Sequence, residues 1–222
     1  MTAPPNSDTP LPEGLIYGED GRVRCRWASA APDFARYHDT EWGFPVDDDH
    51  ALFEKICLEG FQSGLSWRTI LAKRPAFREV FCDFNFERVA RFEQADVERL
   101  VTDARIVRHR GKIAATINNA RRACEAADAH GSLGALIWQY EPPPPARRGR
   151  EARRPREVVS KTPHSATLAK DLKKLGWRFF GPTTAYAFMQ AMGLVNDHDR
   201  GCAIYRECEA ARGQFTRPAA VR

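Results

Sequence analysis

The chain has 222 residues, 43% of them apolar, and a net charge of +5, which fits one large or two small domains with a sizeable core. No apolar run approaches the ~20 residues of a membrane span, and the first 20 residues lack a basic segment followed by an apolar one, so neither a membrane span nor a secretory leader is expected. Cysteines at 25, 57, 82, 124, 202 and 208 in such a chain are expected as reduced thiols or metal ligands rather than a disulfide framework, in a cytoplasmic setting.

In chain order, residues 1–23 are Pro-rich and acidic, and are expected as a disordered N-terminal tail. Order is expected over 24–208, and 209–222 as a C-terminal tail. DDDHALFEKICLEG (47–60) opens on Asp caps and carries Leu52, Phe53, Ile56 and Cys57 at helical spacing. Residues 95–103 read as a short amphipathic helix. A longer one over 111–131 stops at Gly131. EPPPPARRGREARRPR opens a Pro/Arg-rich insertion at 141–160 that cannot form regular structure over its Pro-rich half. Helices follow over 165–176 and 181–193, the second with Pro182 at its first position and Gly193 at its stop. No run alternates as a strand would, so the expected class is all-α.

The charge is unevenly placed. Residues 147–156 carry six Arg against one Glu, and 103–122 carry six Lys/Arg plus His109 against Asp103 alone. Such clusters read either as solvated faces or as the footprint of a polyanion. In the second cluster, a short helix, a tight turn and a helix starting near Gly111 put backbone N–H groups beside Arg108, Arg110 and Lys112. That combination suits sequence-independent contact with a DNA backbone.

Two constellations carry chemistry. At ~100° per residue, Glu59 falls roughly 20° from Leu52 and about 60° from Ile56. It thus sits at the edge of the apolar stripe, where a carboxylate is costly unless paired. Gly60 and Gly64 allow close backbone approach, and Trp67 offers a stacking face; the plain alternative is a helix end with a core Trp. Secondly, Cys25 and His38, with His198 and Cys202 near the other end of the ordered chain, have the donor chemistry of a closed tetrahedral zinc site. Cys208 is a rival ligand, and two surface His with two buried thiols is the plain alternative. Trp27, Phe34, Tyr37 and Trp42 cluster near the first pair, as a core patch or as part of a site.

The segments RCRWASAAPDFARYHDTEWGFPVDDDHALFEKICLEGFQSGLSW (24–67), DARIVRHRGKIAATINNA (103–120) and FFGPTTAYAFMQAMGLVNDHDRGC (179–202) together resemble the 3-methyladenine DNA glycosylase I family. The resemblance implies a helix-hairpin-helix glycosylase fold with one structural zinc held by Cys25, His38, His198 and Cys202. It implies a base pocket around Glu59, Tyr37 and Trp67, with Trp27, Trp42 and Phe34 nearby, and no lyase activity. The implied partner is double-stranded DNA containing alkylated adenine, met by a monomer through Arg108, Arg110, Gly111 and Lys112. Leu65, between Gly64 and Ser66, is expected as the wedge that fills the gap in the duplex. Two positions depart from the family pattern: Phe34 stands where a Tyr is frequent, and Arg105 where the hairpin usually has a Gly. Two rival functions remain at this stage. One is a bifunctional glycosylase/lyase using Lys112 as Schiff-base nucleophile; the other is a non-enzymatic zinc module that binds nucleic acid.

Overall fold

The computed structural model describes residues 10–143 and 159–219. Its elements, in chain order, are β1 (Leu15–Tyr17), β2 (Val23–Cys25), α1 (Phe34–Thr40), α2 (Asp49–Gln62), α3 (Trp67–Val80), α4 (Phe86–Val89), α5 (Gln94–Leu100), α6 (Arg110–His130), α7 (Leu133–Trp138), α8 (Pro163–Lys174), α9 (Pro182–Ala191) and α10 (Ala203–Gln214). The described residues fall into two compact units: 10–45, 142–143, 159 and 190–215 in the first; 46–141, 160–189 and 216–219 in the second. No helix among them is long and apolar enough to cross a membrane.

The described residues are mostly helical, as expected, and the first unit adds one small sheet. β1 and β2 pair antiparallel, with Leu15 opposite Cys25 and Tyr17 opposite Val23. Order therefore begins inside the segment expected as a disordered tail, because Leu15 is buried against Cys25, Cys202, Ile204 and Cys208. Its strands are three residues long, too short to show alternation. At the other end, α10 runs past residue 208 to Gln214. Gly193 stops α9 as expected: its φ is +72°, and a Cβ there would lie 2.4 Å from the backbone of Phe44 and Pro45.

The second unit is helical. Asp48 caps α2 by accepting from the Ala51 N–H at 2.7 Å. Asp49 accepts from the Leu133 and Gly134 N–H groups at 2.9 and 2.8 Å, fastening the start of α7 to the start of α2. Every residue of α2 from Leu52 to Phe61 is buried, so the helix has no solvent side. Consequently Glu59 lies inside rather than at an apolar edge. Gly131 closes α6 in the left-handed conformation, φ +88°, as its position predicts. Of the insertion expected at 141–160, residues 144–158 lie outside the described residues.

Candidate metal centre and candidate active site

In the first unit, β2 ends on Cys25, α1 carries His38, a turn holds His198, and Cys202 caps α10. Their ligand atoms all lie within 4.8 Å of one another, and all four side chains are buried. His38 Nε2 and His198 Nδ1 are 3.1 Å apart. Cys202 Sγ is 3.5 Å from His38 Nε2 and 3.7 Å from His198 Nδ1, and Cys25 Sγ is 3.8 Å from His198 Nδ1. The four-residue spacing of His198 and Cys202 owes nothing to a helix. The Cys202 N–H donates to the Asp199 carbonyl at 2.8 Å, and this turn brings the two together.

The outer nitrogen of each imidazole is committed. His38 Nδ1 faces the Asp39 carboxylate at 2.7 Å, and His198 Nε2 donates to the Trp42 carbonyl at 2.9 Å. The inner nitrogens thus meet facing each other, an arrangement that could hold a metal ion. The Asp199 N–H donates to Cys25 Sγ at 3.3 Å. Between the thiols, Cys202 is pushed down by the hydrogen bond from Cys25 and then by the two imidazoles, while Cys25 is pushed up. Burial pushes the Asp39 carboxyl up, but hydrogen bonds from Arg24 and His38 outweigh it and hold it low. Arg24 meets Asp39 Oδ2 at 2.7 Å and Asp20 Oδ1 at 2.6 Å. Cys208 is buried with its thiol toward the Trp42 carbonyl, and is not one of the four.

Trp27 and Trp42 pack against this quartet. Trp27 meets the His38 ring at 5.1 Å, and Trp42 meets the His198 ring at 4.7 Å, both edge-on. Phe34 and Tyr37 are buried beside Trp27, at 6.0 and 6.3 Å between ring centroids.

Glu59 and Trp67 belong to the second unit. Glu59 is 6% exposed, and burial pushes its carboxyl up to about 7 against the pull of Lys55. Lys55 lies one turn earlier on α2, is 1% exposed, and places Nζ 4.1 Å from the centroid of the Trp67 ring. Sequence reasoning missed Lys55. Its signal was a lysine four residues before Glu59 inside an apolar run. Ser66 caps α3 by accepting from the Thr69 N–H at 3.2 Å, which fixes Trp67 as the first residue of that helix. Leu65, just before the cap, is 42% exposed.

In the expected hairpin, α5 and α6 are joined by residues 101–109. His109 caps α6, its Nδ1 accepting from the Lys112 N–H at 3.2 Å. Arg105 needs no glycine-like backbone: it is not among the described residues with positive φ, and its guanidinium pairs with Asp103 and Glu79, each at 2.8 Å. Arg108, Arg110 and Gly111 are exposed, although Arg110 is already paired with Glu98. Lys112 is not exposed. Its Nζ donates to the carbonyls of Phe61 and Ser63 at 2.8 and 2.5 Å, and burial draws its pKa down.

Residues 27–206 match the methyladenine glycosylase family. The chain is 46% identical over 182 residues to the DNA-3-methyladenine glycosylase 1 of Escherichia coli (strain K12), covering 82% of this chain and 96% of that protein. It is 40% identical over 180 residues to the DNA-3-methyladenine glycosylase of Haemophilus influenzae (strain ATCC 51907 / DSM 11121 / KW20 / Rd), covering 81% and 96%. A solved structure of 3-methyladenine DNA glycosylase I from Staphylococcus aureus superposes with a TM-score of 0.73 at 35% identity, over 82% of this chain and 96% of that one. With a match that spans both units and includes all of α1 to α9, the chain belongs to the methyladenine glycosylase family.

Proposed function

We propose that the protein is a base-excision repair enzyme that hydrolyses the N-glycosidic bond of 3-methyladenine in alkylated duplex DNA, without a lyase step. The observation that carries this is the Glu59, Lys55 and Trp67 arrangement. It combines a buried carboxylate with an aromatic face that already holds a cation at 4.1 Å, the chemistry that selects a flat, positively charged base. The relatives' names agree with it, and one related structure is described as a complex with 3-methyladenine.

The target base must leave the stack to be read. Methylation at N3 makes adenine cationic. As the oxygen of water bonds to C1′, the N9–C1′ pair of electrons goes to the base, which departs neutral. The water's proton is released to solvent. Little acid catalysis is required, so the protein's contribution is recognition. Glu59 accepts from the exocyclic amine and favours the charged base, and Trp67 stacks on it, with a cation–π contribution of ~0.5–2 kcal/mol. Leu65 enters the gap left in the duplex, and α5, the 101–109 turn and α6 act as a helix-hairpin-helix that holds the backbone through Arg108 and Gly111.

Lys112 supports the monofunctional assignment. Both carbonyls that hold its Nζ would have to be given up before the amine could attack C1′. Borohydride trapping on abasic DNA is expected to yield no covalent adduct; an adduct lost in Lys112→Ala would restore the lyase.

The Cys25, His38, His198 and Cys202 quartet would hold one structural zinc. Zn–S near 2.3 Å and Zn–N near 2.0–2.1 Å in a tetrahedron give N–N edges of about 3.3 Å and S–N edges of about 3.6 Å. The separations of 3.1 Å and 3.5–3.8 Å support that fit. A four-ligand ion has no open position, so its role is to hold the fold.

Release of free 3-methyladenine from methylated duplex DNA tests the whole assignment. Retention of the base in the DNA after prolonged incubation would sink it and leave a binding module.

A further inference from the structure

Phe179 combines exposure with a strained backbone in the second unit. It is 45% exposed, yet its backbone is held at φ +55°, a conformation that a bulky residue adopts only when its surroundings impose it. Those surroundings are polar and built. Asn119 of α6, itself buried, accepts from the Arg178 N–H at 2.8 Å and donates to the Arg178 carbonyl at 2.9 Å. Asn118 donates to the Gly176 carbonyl at 2.9 Å. The 176–179 loop is therefore fastened along α6 by three hydrogen bonds.

The fastening aims the ring. Phe179 lies edge-on to His109 at 6.0 Å, and its Cζ is 3.6 Å from where a Cβ on Gly111 would stand. Its carbonyl lies 3.2 Å from the Cβ position of Gly60 near the end of α2. Lys112 ties the Ser63 carbonyl to the same first turn of α6. Arg178 precedes Phe179 in the chain and Arg108 precedes His109, and both are exposed; Lys173 is exposed as well, while Lys174 is paired with Asp171. Nothing about packing requires an aromatic ring in water at a strained position. A rigid apolar group beside cations is what an opened nucleic-acid duplex meets well, since stacking and phosphate contact are then supplied without ordering a loop.

We infer that Phe179 is a DNA-contact residue, presented with Arg178 by the fastened 176–179 loop to press its ring against an unstacked base or sugar beside the excised position. This rests on the proposed glycosylase function, and assigns within it a residue that neither the base-reading site nor the Leu65 wedge uses.

The test measures affinity for a duplex with a central tetrahydrofuran abasic site, by fluorescence anisotropy, alongside melting temperature. Phe179→Ala and Phe179→Gly are expected to bind roughly tenfold more weakly. Phe179→Gly, which removes the left-handed penalty, is expected to melt no lower than the parent. Phe179→Trp should recover binding to within about threefold of the parent, since stacking is sequence-tolerant. A 2-aminopurine beside the abasic site should brighten with the parent and not with Phe179→Ala. Arg178→Gln should flatten the salt dependence by about one phosphate. Parent-like affinity in both Phe179→Ala and Phe179→Gly would overturn the inference while leaving the glycosylase standing. So would a change in self-association without a change in DNA affinity. A parent protein that neither releases 3-methyladenine nor prefers the abasic duplex overturns the glycosylase assignment itself, and this inference with it.

Discussion

Under the proposed function, Glu59 carries two opposed roles. An unfolded chain releases its proton near 4.5, the folded chain near 7. Between those values the folded state binds more protons, so Glu59 makes stability fall as pH rises through that window. The ionised form is the one that reads a cationic base, so excision is expected to rise over the upper part of the same window. Glu59→Gln is therefore expected to melt at least as high as the parent at pH 8, while losing roughly 10–100-fold in excision. Thermal melts and release of 3-methyladenine check the two halves separately, and parent-like excision would end the recognition role. Lys55 pulls the Glu59 carboxyl down. In Lys55→Met the acid limb of the excision profile is expected at higher pH than in the parent, and an unmoved limb would mean that Lys55 does not act through Glu59. Glu59 was legible in the sequence because a carboxylate in an apolar run needs a reason. Lys55 was not, because a lysine on a helix is ordinarily solvated, and its burial on Trp67 depends on α2 having no solvent side.

Between elements, the end of α2 depends on α6. The last carbonyls of a helix lack partners within it, and Lys112 supplies donors to Phe61 and Ser63. Lys112→Met keeps the stem and removes the donors. It is expected to cost about 1–3 kcal/mol, read as a lower urea midpoint at unchanged slope; an unchanged midpoint would make the contact dispensable. Helices such as α2, α6 and α9 could be read from the chain because caps, periodicity and stop residues agree at Asp48, Gly131, Pro182 and Gly193. α3 escaped because Pro75 sits in its middle, where local rules end a helix and tertiary packing has overridden them. β1 and β2 escaped because a three-residue strand has no pattern of its own. The left-handed backbone of Phe179 escaped because it is set by Asn119, sixty residues away in sequence.

At the scale of the whole chain, the quartet of Cys25, His38, His198 and Cys202 is a long-range device. It joins residues from 25 to 202, and closing so long a loop removes much of the freedom of the unfolded chain. Besides it, the described residues of the first unit contribute a two-stranded sheet, α1, α10, the packing of Trp27 on Phe34 and Tyr37, the Arg24 ion pairs and a small buried cluster that includes the Cys25 and Cys202 thiols. Binding free energy at such a site is folding free energy. The purified protein is expected to contain one zinc per chain. Stripping it with a chelator should lower the melting temperature by at least several degrees, and stoichiometric zinc should restore it. Because the ligands belong to the first unit, hydrogen exchange in the stripped protein should rise first over residues 15–40 and 198–214, while α2 and α6 stay protected. Cobalt is expected to replace zinc with excision within about twofold, since a closed centre offers no position for a reacting group. A stripped protein with an unchanged melting temperature would refute the stapling role. A cobalt protein that is folded but inactive would move the ion from the scaffold into the chemistry.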